Sequence, residues 1–121
     1  MIRSHRDLQI WQRAMELSAA TYAVASSLPS YEIYGLAQQL RRSAVSIPSN
    51  IAEGHGRIHR GDYVHHLSVS RGSLAELETQ LELAWRIHAA SVEPAQGLAD
   101  EVGRMLNTLI SRLRTTPRPH P

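Results

Sequence analysis

The chain has 121 residues, 13 basic against 11 acidic, with a formal charge of +2, seven His and no Cys. That length holds one domain around one hydrophobic core, and the lack of cysteine excludes disulfides, thiolate metal sites and cysteine nucleophiles. Every basic residue is Arg, which excludes Schiff-base and P-loop lysine chemistry; Phe is also absent, so the core falls to aliphatic residues, two Trp and four Tyr.

The first segment carries an apolar stripe at helical spacing, Ile10, Ala14, Leu17, Thr21, Val24 and Leu28, and a second stripe beside it, Leu8, Trp11, Met15 and Tyr22. Asp7 is the expected N-cap and Pro29 the stop. One bundle core needs one face, so Trp11, Met15 and Tyr22 are the candidate oligomer interface. Ala23-Val24-Ala25 has the form of a signal-peptidase site, but Asp7, Arg13 and Glu16 interrupt the stretch before it. No segment approaches the roughly 18–20 apolar residues of a membrane span. The expected location is the cytoplasm.

The second segment runs Ile33, Ala37, Leu40, Ala44, Ile47, Ile51 and contains Pro48, which removes a ladder hydrogen bond and frees the carbonyl of Ala44. A kinked but continuous helix is expected, with Ser46, Ser49 and Asn50 satisfying the freed groups and Gly54 and Gly56 as left-handed C-caps. The third segment runs Tyr63, Leu67, Ser70, Leu74, Leu77, Leu81, Ala84, His88, beginning at Asp62. Gly72-Ser73 in its middle costs about 1 kcal/mol relative to alanine, which suggests close approach of a neighbouring helix. The fourth segment opens with Pro94 in its first turn and runs Leu98, Val102, Met105, Leu109, Leu113.

These stripes are buried most simply against each other. The fold expected is all-α: an antiparallel up-down-up-down four-helix bundle over residues 1–114, with helices near 7–28, 31–56, 61–90 and 94–113 and a disordered Pro-rich tail over 115–121.

Net charge hides an asymmetry. Residues 33–71 carry five Arg, two acids and four His, residues 72–101 one Arg and six acids, and residues 102–121 four Arg and no acid. Arg41, Arg42, Arg57, Arg60 and Arg71 are therefore the candidate nucleic-acid-binding residues, since Arg forks suit phosphate. The competing role is solvation of the helices and pairing with Glu76, Glu78 and Glu82.

Reaction chemistry is hard to find. His65 and His66 are neighbours and point about 100° apart on a helix, so they do not share a metal. Arg60–His65, Arg60–His66 and Arg114–His120 match the Arg-x(4–6)-His pattern of a metal-independent RNase, but about two matches arise by chance at this composition. No catalytic residue, metal or cofactor is expected.

The run from Leu36 to Gly54, LAQQLRRSAVSIPSNIAEG, followed by Gly56-Arg57, closely resembles the four-helix-bundle proteins encoded in intervening sequences of bacterial 23S rRNA genes. Asp7-Leu8 with Trp11-Gln12 and Ala14, Leu28-Pro29 with Glu32 and Tyr34-Gly35-Leu36, and Gly72-Ser73-Leu74 with Glu76-Leu77-Glu78-Thr79-Gln80-Leu81 extend the match over nearly all of residues 7–90. That family is similar in turn to the accessory variability-determinant protein of diversity-generating retroelements, a basic homopentamer that binds nucleic acid and a reverse transcriptase. The resemblance implies a non-enzymatic homo-oligomer, a pentamer by that likeness, with RNA or DNA and a protein such as a reverse transcriptase as partners. The alternative is a protein–protein scaffold that binds no nucleic acid; an RNase ranks below both.

Overall fold

In the computed structural model, which describes residues 1–115, the chain forms four helices: α1 (Gln9–Ser27), α2 (Leu36–His55), α3 (Arg60–His88) and α4 (Glu93–Thr115). No strand occurs among the described residues, and none of these helices is long and apolar enough to cross a membrane. The bundle is all-α, as the periodicity predicts. Thr115 belongs to α4; the rest of the expected tail, 116–121, lies outside the described residues.

The helices pack in a ring of neighbours, α1 on α2, α2 on α3, α3 on α4 and α4 back on α1. The core is built from the stripes read in the sequence. Leu17, Leu40, Ile47, Ile51, Leu67, Leu77 and Leu81 are fully buried at its centre. In α4 the innermost row is Ala95, Ala99, Val102, Leu106 and Ile110, so Leu98, Met105, Leu109 and Leu113 flank the core instead of filling it. Small Ala95 and Ala99 let α4 lie close, which turns the bulkier residues to the sides.

Several local expectations are corrected. Asp7 does not cap α1: its carboxylate accepts from the backbone N–H groups of Arg3 (2.7 Å) and Ser4 (3.3 Å), closing a single 3-10 turn, His5–Asp7, ahead of the helix. A second 3-10 turn, Ser30–Glu32, delays α2 to Leu36, and Ile33 stays exposed. The Glu32 carboxylate accepts from the Leu36 N–H at 3.3 Å and so holds that later start.

α2 runs unbroken through Pro48. The carbonyl of Ala44, which Pro48 cannot serve, accepts from the Ser18 hydroxyl of α1 at 2.8 Å. The donor therefore comes from another helix and not from Ser46, Ser49 or Asn50; Asn50 Nδ2 donates to Ser46 O at 2.9 Å instead. Neither Gly54 nor Gly56 is left-handed, Gly56 having φ −79°. Gly54 serves close approach: a Cβ there would fall 2.7 Å from His66 Cβ and 3.1 Å from Tyr63 Cδ1. Gly72 meets open space, and the approach to α2 at this level passes through its neighbour, the Ser73 hydroxyl lying 2.8 Å from that of Ser46.

Candidate nucleic-acid interface

The antiparallel order fixes where charge collects. The start of α1, the end of α2, the start of α3 and the end of α4 all fall at one end of the bundle. That end receives Arg3, Arg6, Arg57, Arg60, Arg112 and Arg114, together with His5, His55, His59, His65 and His66. Its acids are Asp7, Glu53 and Asp62. Asp7 is engaged in its 3-10 turn, and Glu53 pairs with Arg57, Oε1 to Nη2 at 2.8 Å.

The histidines at this end are held in place mainly by rings and amides. His5 meets Trp11 edge-on at 5.1 Å between centroids, His55 meets Tyr63 at 5.8 Å, and His65 meets His66 at 5.6 Å. His66 Nδ1 donates to Asn50 Oδ1 at 3.1 Å. Burial pushes the Tyr63 phenol up, so it stays neutral beneath this surface. Among the described residues no three His, Asp or Glu side chains are grouped to hold a metal ion. Arg60 lies about 140° around α3 from His65 and about 120° from His66, so neither RNase-type pair shares a face.

The five arginines singled out in the sequence do not form one patch. Arg57 and Arg60 lie at the basic end. Arg41 and Arg42 are about 20 Å away along α2, Arg41 donating from Nη2 to the carbonyl of Ile33 at 3.1 Å. Arg71 is about 16 Å along α3 from Arg60 and faces α4, where its Nη1 donates to Asn107 Oδ1 at 3.3 Å. Arg3, Arg6, Arg112 and Arg114 are not among the candidates that sequence reasoning selects. The basic C-terminal segment is visible in the charge count, but joining it to Arg57 and Arg60 requires the antiparallel topology.

Toward the other end the charge is acidic. Glu78, Glu82 and Asp100 line a shallow groove of about 300 Å³ between α3 and α4. Partial burial, and then the Asp100 carboxylate, push the Glu78 carboxyl above its usual range. Of the candidate interface residues, Met15 (45% exposed) and Tyr22 (43%) face solvent on the α1/α2 side, whereas Trp11 is half-buried against the core. A polar groove of about 450 Å³ between α2 and α3 holds Arg42, Glu76 and Gln80, whose buried Oε1 has no hydrogen-bond partner among the described residues.

The sequence profile of the 23S rRNA-intervening sequence proteins matches residues 6–111. Among solved structures, the chain is similar to a protein of unknown function from the S23 ribosomal protein family of Bacteroides thetaiotaomicron, at 21% identity and a TM-score of 0.74, over 84% of this chain and 97% of that one. No curated protein matches.

Proposed function

Because the chain belongs to the 23S rRNA-intervening sequence protein family, we propose that it is a non-enzymatic, homo-oligomeric protein of the cytoplasm that binds RNA or DNA through the phosphate backbone. The supporting observation is the basic end, which among the described residues gathers six Arg from three separate stretches of chain with three acids. Arg guanidinium groups release counterions from phosphate, so binding of this kind is sequence-tolerant and steeply salt-dependent. A homopentamer, five copies of a +2 chain, would repeat that end five times. The exposed apolar side chains Met15, Tyr22 and Val45 on the α1/α2 side support self-association. They also favour the second reading, a scaffold whose partner is another protein, a reverse transcriptase among the candidates.

The test is RNA retention against salt. Arg57→Ala/Arg60→Ala and Arg112→Ala/Arg114→Ala should each weaken retention and lower the salt slope by about one for every phosphate no longer neutralised. Arg71→Ala, placed away from this end, should change little. Retention and slope unchanged in both pairs would leave the scaffold reading.

A further inference from the structure

Two faces of this bundle are complementary in charge and lie on opposite sides of it. The α1/α2 side has a groove of about 580 Å³ lined by Tyr22, Gln38, Arg41, Arg42, Val45 and Ser49. Residues 36–52 contain no acid, and Arg42 forms no ion pair among the described residues. The α3/α4 side has the acidic groove of Glu78, Glu82 and Asp100, with half-exposed Trp85 two turns beyond Glu78 on the same stripe. Glu78 and Asp100 form no ion pair among these residues either, and the Asp100 charge bears on Glu78. Since α2 lies between α1 and α3 while α4 closes the ring, these two grooves face away from each other.

The grooves also lie at one height along the bundle axis. Ser18 bonds Ala44, Ser46 meets Ser73, and Glu78 stands beside Asp100, which sets the register of all four helices. By that register Tyr22, Leu40, Thr79 and Ala99 fall on one level, with Arg41 and Arg42 next to Glu78 and Asp100 in height. A second copy placed alongside, with its axis parallel, therefore meets opposite charge without any shift along the bundle.

We propose that copies of this chain associate head-to-tail, the α1/α2 groove with Arg42 and Tyr22 of one copy receiving the acidic α3/α4 edge with Glu78 and Asp100 of the next. The contact joins two different faces, so it repeats around an assembly, and a rotation that closes yields a ring with every basic end pointing the same way. Guanidinium groups arriving at Glu78 and Asp100 relieve the repulsion between two carboxylates. The proposal rests on the self-association in the proposed function and specifies its surface. It also separates two tasks: Arg41 and Arg42 hold copies together, and the basic end, about 20 Å away along the bundle, lies outside that contact.

The experiment is sedimentation or light scattering, with circular dichroism confirming that each variant keeps its helix content. Wild type should run as a multiple of the 13.5 kDa chain. Arg42→Glu alone and Glu78→Arg/Asp100→Arg alone should each weaken association by about tenfold or more, since like charges then face each other. Combining all three substitutions in one chain should restore assembly. The milder pair Glu78→Gln/Asp100→Asn should weaken it without reversal, which guards against a folding defect. An oligomer unaffected by the Glu78 and Asp100 substitutions overturns this contact while leaving self-association standing. A wild type that is monomeric at high micromolar concentration overturns both, and RNA retention then stands or falls by its own measurement.

Discussion

His88 Nε2 donates to Glu32 Oε2 at 2.7 Å, tying the last turn of α3 to the short turn that precedes α2. The other oxygen of Glu32 accepts from the Leu36 N–H, so one carboxylate starts one helix and anchors the end of another. The His88 hydrogen bond, then the Leu36 N–H, hold the Glu32 carboxyl below its usual range. A lowered folded-state pKa means that the carboxylate's contribution is complete above the unfolded value, about 4.3, and is lost as pH falls through the folded value. Glu32→Gln should therefore lower the melting temperature at pH 7 and flatten its decline below about pH 4.3. A variant whose melting curve tracks the wild type at both neutral and strongly acidic pH would refute this.

Ser18 and Pro48 form a matched pair across the α1/α2 contact. Pro48 has no N–H to offer Ala44, and the Ser18 hydroxyl supplies the missing donor. Ser18→Ala should cost about 1–2 kcal/mol, the penalty for leaving a carbonyl unpaired in the packed interior. Pro48→Ala would restore an N–H within α2, so in that background the cost of Ser18→Ala should shrink to about 0.5 kcal/mol or less. Urea denaturation of the four proteins closes the cycle, and equal costs in the two backgrounds would show that the hydroxyl does not serve this carbonyl.

The bundle is legible in the sequence because burial writes a 3.6-residue period: spacing alone marks Leu17, Leu40, Ile47, Leu67, Leu77 and Leu81 as core. Caps and turns are less legible, because one side chain has several backbone donors in reach. Asp7 closes the turn upstream and not the helix downstream, and Glu32 enters the sequence reading only through the family resemblance, with nothing in the apolar period to show that it joins two helices. Partners between helices leave no local signal: nothing near Pro48 in sequence points to Ser18. The candidate site is hidden in the same way, since Arg6 and Arg112 join Arg57 at one end only when four helices alternate direction.

Gly54 and Gly72 both lie within helices yet should respond oppositely to alanine. At Gly54 the new methyl would collide with His66 Cβ and the Tyr63 ring, both on α3 and neither the far end of a flexible chain. Forcing α2 and α3 apart there should cost about 1–3 kcal/mol. At Gly72 the methyl meets nothing within 4 Å, and alanine's better helix propensity should add about 1 kcal/mol of stability. Thermal denaturation reads both, and a stabilised Gly54→Ala would show that the two helices have room to spare.

α3 ends at Ala89, whose φ of 51° and ψ of 35° place it in the left-handed region. Its N–H bonds Trp85 O at 2.9 Å and the N–H of Ala90 reaches back to Ala84 O at 3.3 Å, which satisfies carbonyls of the last turn. An L-residue with a Cβ pays roughly 1–2 kcal/mol for this conformation, whereas glycine meets almost no steric cost but loses more backbone entropy on folding. The side chain of Ala89 is exposed, so its removal forfeits no packing. Ala89→Gly should accordingly stabilise the bundle by about 0.5–1 kcal/mol. Ala89→Val, whose branched Cβ crowds the same backbone, should destabilise it. The pair is diagnostic: if the chain turned here by some other conformation, glycine would lower the melting temperature and valine would be tolerated.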